Sequence, residues 1–305
     1  MRGLLWLSVG ACVALFSCEK PPAAKVSPAP LAAESIEGFA RVWGDEPLDA
    51  GELELLIEEL DTTARLGKGV EPELAELLIG HLGGGVPKSM AASSWHHFFN
   101  SALNALGATP RASRDTISRA LLQIVDQEDD KVLRLYALQH LGIYHPSLSE
   151  PLRSEVGRRV AELAYRSTDE VSGTALQLVE QWKGELGADL ETVALEDRSA
   201  VALQIITDTT RPMDVRISAI QAAAEGGFGE ALPAARTIAA DPAEGALLRK
   251  SAIYLIGQLG VETDTALLTR CAKESIRLAQ AAEPALAELT ARIENRPTPK
   301  LTPYH

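Results

Sequence analysis

The sequence predicts an all-α chain, organised as an α-solenoid of stacked helix pairs. Three observations lead there. From residue 34 onward no run of alternating β-branched residues occurs, so nothing reads as a half-buried strand. Apolar residues recur instead at three- and four-residue spacing, in segments separated by short Gly, Pro and Asp punctuation. Aromatic residues make up only 5% of the chain while Ala and Leu abound, which suits helices that approach one another through small side chains.

Taken in order, the chain begins with a single charge, Arg2, and an apolar run over 4–16. That run has the length of a signal-peptide core and is too short to span a bilayer. Leu15-Phe16-Ser17-Cys18 then resembles the bacterial lipobox, in which a leucine, a tolerant position and a small residue precede an invariant cysteine. The resemblance implies that residues 1–17 are a lipoprotein signal peptide. It also implies that the Cys18 thiol carries a diacylglycerol thioether and that Cys18 becomes the acylated first residue. Phe16 is larger than the residue usual at its place. Val9-Gly10-Ala11-Cys12 is a rival site with a shorter apolar run before it, and ordinary secretory cleavage is a third alternative. Residues 18–33 read as the lipidated cysteine and a tether, because Pro21, Pro22, Pro28 and Pro30 favour extended polyproline II over helix. Acyl chains contribute about 0.8 kcal/mol per buried CH2, enough in combination to hold a soluble body at a membrane. Glu19, where an aspartate would signal retention, implies by the same resemblance an outer-membrane, periplasm-facing location in the bacterial cell envelope.

The formal charge is −13, and removal of 1–17 takes away one Arg and no acid. So acidic a body argues against nucleic acid and anionic headgroups as partners and favours a basic or neutral one. Beyond the signal region only Cys271 remains, so no intramolecular disulfide can form once Cys18 is lipidated. Cys271 sits in the apolar helical pattern TALLTRCAKE and reads as a buried, inert thiol.

Residues 34–112 form an N-terminal helical region of divergent repeats. Asp49 with Glu52 reads as a capping box, Leu53, Leu56, Ile57 and Leu60 follow at helical spacing, Gly67 and Gly69 stop the helix, and Pro72 starts the next. Residues 113–296 repeat more openly, and 297–305 read as a disordered tail. VLRLYALQHLG, VRISAIQAAAE and LRKSAIYLIGQ share an Arg, an Ala three residues later and an apolar residue four beyond that. The shared residues are Arg134, Arg216 and Arg249, with Ala137, Ala219 and Ala252. Partner helices are expected near 199–208, 230–240 and 264–274. A two-helix period with an Arg in the second helix resembles HEAT repeats, particularly the short kind first noted in phycobilin lyases. The resemblance implies that these arginines are structural, set against acids of adjacent repeats. Ser172 stands where one unit would carry the Arg. Pro284 lies inside the last unit, where it either kinks the helix or begins a new one, and that unit reads as a cap of the stack.

Candidate chemistry is sparse, and we expect no catalytic residue, metal or cofactor. Trp95-His96-His97-Phe98-Phe99 is the sharpest cluster, yet adjacent helical histidines point about 100° apart and cannot share a metal as an i, i+4 pair would. An aromatic core face is the plainer reading, with a metal or ligand site the alternative. His140 and His145 read as core and turn histidines. GGGVPKS over 83–89 lacks the strand and spacing of a phosphate loop and reads as a helix–helix linker. The acidic runs ELELLIEELD and DQEDDK read as solvated faces and caps.

Two residues after each repeat Ala stand Gln139, Gln177, Gln221 and Tyr254. In a stack whose second helices line the concave side, these would form an exposed ladder suited to an extended partner. The alternative is that Gln merely serves as a good helix former there. The sequence is therefore read as a membrane-anchored scaffold or adaptor that binds an envelope protein or peptide segment and is not an enzyme. The competing readings are a ligand-binding or lyase-like protein using the Trp95–Phe99 region, and a passive spacer.

Overall fold

The computed structural model describes residues 33–67, 69–109, 114–165, 169–182 and 198–296; Cys18, the tether and the 297–305 tail lie outside the described residues. Fourteen α-helices and no strand are found among the described residues, so the chain is all-α. It divides into two compact units, one ending at Arg153 and the other beginning at Ser154.

The N-terminal unit holds α1 (Ala33–Arg41), α2 (Ala50–Leu66), α3 (Pro72–His81), α4 (Ala92–Ala108), α5 (Arg114–Gln127) and α6 (Lys131–Tyr144). Asp49 caps α2 by accepting from the Gly51 and Glu52 amides at 2.9 and 3.4 Å. The reciprocal half of the expected capping box does not form. The Glu52 carboxylate turns instead to Arg41, which donates to it at 3.0 and 3.1 Å, and two charge-assisted bonds outweigh one to a backbone amide. Gly67 ends α2 with φ +62°, a left-handed conformation that a side chain would resist, and Pro72 opens α3 at its first turn. The first of every two helices stacks on the next such helix: α1 on α3 and α3 on α5, with α2 on α4 and α4 on α6 alongside.

The sequence division at 112/113 does not coincide with the edge of this unit, and the contacts say why. Arg114 donates to the Leu106 carbonyl at 3.1 Å and to the Gly107 carbonyl, capping the end of α4. The Tyr144 hydroxyl donates to the Leu103 carbonyl at 3.0 Å, and the Arg114 guanidinium lies 4.8 Å from the Tyr144 ring centre. Carbonyls near the end of α4 thus accept from side chains of α5 and α6, and the three fold as one body.

The division falls in the early part of α7 (Glu150–Tyr165). The C-terminal unit continues with α8 (Ser172–Trp182), α9 (Arg198–Thr207), α10 (Met213–Gly226), α11 (Leu232–Ala240), α12 (Ala246–Leu259), α13 (Thr265–Glu274) and α14 (Ile276–Ile293). Here α8, α10, α12 and α14 pack in sequence, and α9, α11 and α13 do the same. Close approach is built in: a Cβ on Gly173 would lie 2.3 Å from the Val215 carbonyl oxygen, so α8 meets α10 nearly backbone to backbone. Ala219 and Ala252, at the repeat positions, are fully buried, as is Ala137 in the N-terminal unit. Pro284 starts no new helix; α14 runs through it.

Candidate functional site

One device repeats through the chain. Arg134 Nε donates to the Val125 carbonyl at 3.0 Å, Arg216 Nε to Ile206 at 3.0 Å, and Arg249 Nε to Ala239 at 3.1 Å. Each acceptor lies in the last turn of the preceding helix, where carbonyls lack an intrahelical donor and a cation is favoured. In the C-terminal unit the guanidinium then reaches forward. Arg216 binds both oxygens of Glu244 at 3.4 and 3.0 Å, and Arg249 binds both oxygens of Glu274 at 2.6 Å. The bonds from Arg249 hold the Glu274 carboxyl below its usual range. A related clamp joins Arg236 of α11 to Asp264, the residue before α13, at 2.7 and 2.9 Å. Arg216, Arg236 and Arg249 thereby tie consecutive helix pairs together.

The glutamine ladder is less open than its sequence pattern suggests. Gln177 and Gln139 are half-buried, the latter in the N-terminal unit, but Gln221 is 4% exposed and Tyr254 7%. The reason is packing. α10 lies against α8, α9 and α12, and α12 against α10, α11 and α14, so little of either helix reaches solvent. The expectation of an exposed ladder is corrected at Gln221 and Tyr254.

What the structure adds lies one turn further along the same face. Glu225 follows Gln221 by four residues, Gln258 follows Tyr254 by four, and Glu288 follows Pro284 by four. Gln258 Nε2 donates to both Glu288 oxygens at 3.0 and 2.9 Å, linking α12 to α14. Burial pushes the Glu288 carboxyl up from its usual range. Burial, with the charges of Glu225 and Glu288, pushes the Tyr254 hydroxyl up to about 12, so it stays a neutral donor. Nearer the start of this face Thr174 of α8 meets Ser218 of α10 at 3.5 Å. The sequence signal for Glu225, Gln258 and Glu288 was the i, i+4 continuation of the ladder, hidden because each is an ordinary surface residue type.

The Trp95–Phe99 region is core. Trp95, Phe98 and Phe99 are each at most 1% exposed, and Phe98 lies 6.2, 6.0 and 5.8 Å from the rings of Phe39, Trp43 and Trp95. His96 turns to Asp130 at 2.6 Å, His97 is exposed, and His81 stacks on Trp43 at 4.3 Å. Among the described residues no group of three or more His, Cys, Asp or Glu is placed to hold a metal ion. Lys88 of the glycine-rich linker pairs with Asp45 at 3.1 Å, and the Ser89 hydroxyl donates to the Val42 carbonyl, so this segment staples the α3–α4 connection to the α1–α2 connection. Cys271 is 1% exposed. His145 is fully buried in a short 3-10 turn, and His140 is 4% exposed on α6.

No helix among the described residues is long and apolar enough to cross a membrane. No protein-family model, curated protein or solved structure matches the chain.

Proposed function

We propose that this chain is a lipid-anchored α-solenoid of HEAT-like helix pairs that works as a binding scaffold or adaptor in the bacterial cell envelope, without catalysis of its own. The observation that carries the reading is the layered packing, with alternate helices stacked on alternate helices and Arg216 and Arg249 clamping one pair to the next. Stacked pairs of this kind present long surfaces whose contacts are spread over many repeats, which suits capture of an extended segment. The acidic charge favours a basic or neutral partner. The lipobox-like Leu15-Phe16-Ser17-Cys18 supports an acyl anchor, which would concentrate that surface at a membrane, the outer one by the resemblance at Glu19.

The test is in-cell crosslinking of the tagged full-length protein, with captured proteins identified by mass spectrometry against a Cys18→Ser form. The scaffold reading expects one or two abundant envelope proteins, captured only by the anchored form. Absence of any enriched protein from the wild-type capture overturns it. The anchor has its own readout: Cys18→Ser is expected to release the protein from the membrane fraction and to leave its N-terminus unacylated. A Cys18→Ser protein that stays membrane-bound and keeps the wild-type N-terminal mass shows the anchor assignment to be wrong.

A further inference from the structure

Within the C-terminal unit, α10 lies between α8 and α12, and α12 lies between α10 and α14. As the last helix of its layer, α14 packs on α12 and α13 and has no successor among the described residues. Leu278, Ala281, Ala282, Ala285 and Leu289 are its buried apolar stripe. A second stripe runs beside it. Ile276, Ala279, Glu283, Leu286, Thr290 and Ile293 alternate at three- and four-residue spacing, the a and d positions of a heptad kept along the whole helix. All six reach solvent: Ile276 is 80% exposed and Ile293 40%, Glu283 is exposed, and Ala279, Leu286 and Thr290 are half-buried.

A terminal helix that only faces water has no need of an a/d seam, and polar residues would serve at every one of these places. Here five of the six are uncharged, and the two isoleucines stand at the two ends. The spacing also reads the same from either end. That symmetry points to the occupant. A second copy of the helix laid antiparallel sets Ile276 against Ile293, Ala279 against Thr290 and Glu283 against Leu286. Each pair then occurs twice, as a two-fold interface requires. A parallel copy would set Glu283 directly against Glu283, where like charges repel, and would align the two helix dipoles. The antiparallel copy opposes the dipoles and faces each carboxylate with a leucine.

We infer that this face of α14 is a self-association surface, on which a second copy of the chain docks through its own α14 in antiparallel register. The pairing goes beyond the scaffold reading and does not depend on it. One helix pair buries less than a standard interface, so a dissociation constant on the order of 10 µM is expected.

The test is sedimentation velocity of the full-length protein from about 1 to 300 µM, a range that brackets that constant. A monomer–dimer equilibrium is expected. Ala287 is exposed between Glu283 and Thr290, so Ala287→Arg should leave helicity by circular dichroism unchanged and weaken the dimer about tenfold or more by crowding the seam with a charge. Ala266→Arg, at an exposed position of α13, should leave the dimer as it is. Register is read by oxidising an equimolar mixture of Ile276→Cys and Ile293→Cys proteins and mapping the linked peptides by mass spectrometry. A disulfide between position 276 of one copy and position 293 of the other is expected. Like positions should not link, because the antiparallel pair holds them about 25 Å apart. A monomer at every concentration, a dimer indifferent to Ala287→Arg, or linkage of like positions overturns the inference. A chain ended after Arg296 that dimerises where the full chain does not makes residues 297–305 the occupant of this face and overturns it as well.

Discussion

The two units answer the same packing problem with different chemistry. In the C-terminal unit, Arg216 and Arg249 each cap a preceding helix and grip an acid of the next pair, the same device twice over. In the N-terminal unit Arg134 caps α5 through the Val125 carbonyl, and large rings fill much of the core: Phe39, Trp95, Phe98 and Phe99 are essentially buried, and Trp43 joins them. A repeated device spreads stability over many small contacts, so Ala-rich helices suffice. A unit built around large rings concentrates stability in a few aromatic side chains, each of which removes a large apolar area from water.

The strongest way to break the comparison is at Trp95. Trp95→Ala leaves a large hole against Phe98 and Phe99, with ring centres at 5.8 and 5.6 Å, and is expected to cost about 3–5 kcal/mol. In urea melts followed by near-UV dichroism, the N-terminal unit should lose its packing first, while the Tyr254 and Gln258 NMR signals persist. Loss of both units at the same denaturant concentration would show that they do not unfold separately.

Acid should discriminate next. Every described histidine lies in the N-terminal unit, and burial lowers the His140 ring from its usual 6.5 to about 4. The unfolded chain therefore takes up a proton as pH falls below about 6.5, while the folded one refuses it until about 4. Stability from this group is full above that window, falls through it and levels below it, by at most about 3 kcal/mol. Unfolding free energies measured from pH 7.5 to 4.5 should show that slope, and His140→Leu should reduce it, leaving the share of His145, which burial also lowers to about 4. A slope unchanged by His140→Leu would put the acid sensitivity elsewhere.

How far the sequence alone reached depends on which forces set each feature. Helix positions were legible because caps and periodicity are local: VRISAIQAAAE lies within α10, LRKSAIYLIGQ within α12, and the partner segments within a residue or two of α9, α11 and α13. The capping box was half legible. Asp49 acts within three residues, but Glu52 is claimed by Arg41, eleven positions away, and no local rule sees that competitor. The ladder was legible as a face but not as a surface. Whether Gln221 reaches solvent depends on how tightly α8, α10 and α12 close, which Gly173 decides through a contact 42 positions distant. Likewise Arg114 and Tyr144 tie α5 and α6 to the end of α4 through contacts that composition does not reveal.

The smallest effects sharpen the comparison best, because they hold chemistry constant. Arg249–Glu274 and Arg41–Glu52 are both two-pronged arginine–carboxylate pairs, one in each unit. Arg249 is 5% exposed in its side chain and also caps α11, whereas Arg41 is 59% exposed and caps nothing described. Arg249→Ala removes a buried partner. Glu274, 39% exposed, can regain water, so the cost should sit below the usual range for broken buried pairs, at about 2–3 kcal/mol. Arg249→Lys should recover little of it, since an ammonium cannot cap the Ala239 carbonyl and fork to Glu274 together. Arg41→Ala should cost about 0.5 kcal/mol or less and should vanish in molar salt, where exposed charges are screened. Denaturant midpoints of the three variants at low and high salt decide it. If Arg41→Ala costs as much as Arg249→Ala, the N-terminal unit depends on its ion pairs too, and the division of labour between aromatic packing and repeated clamps fails.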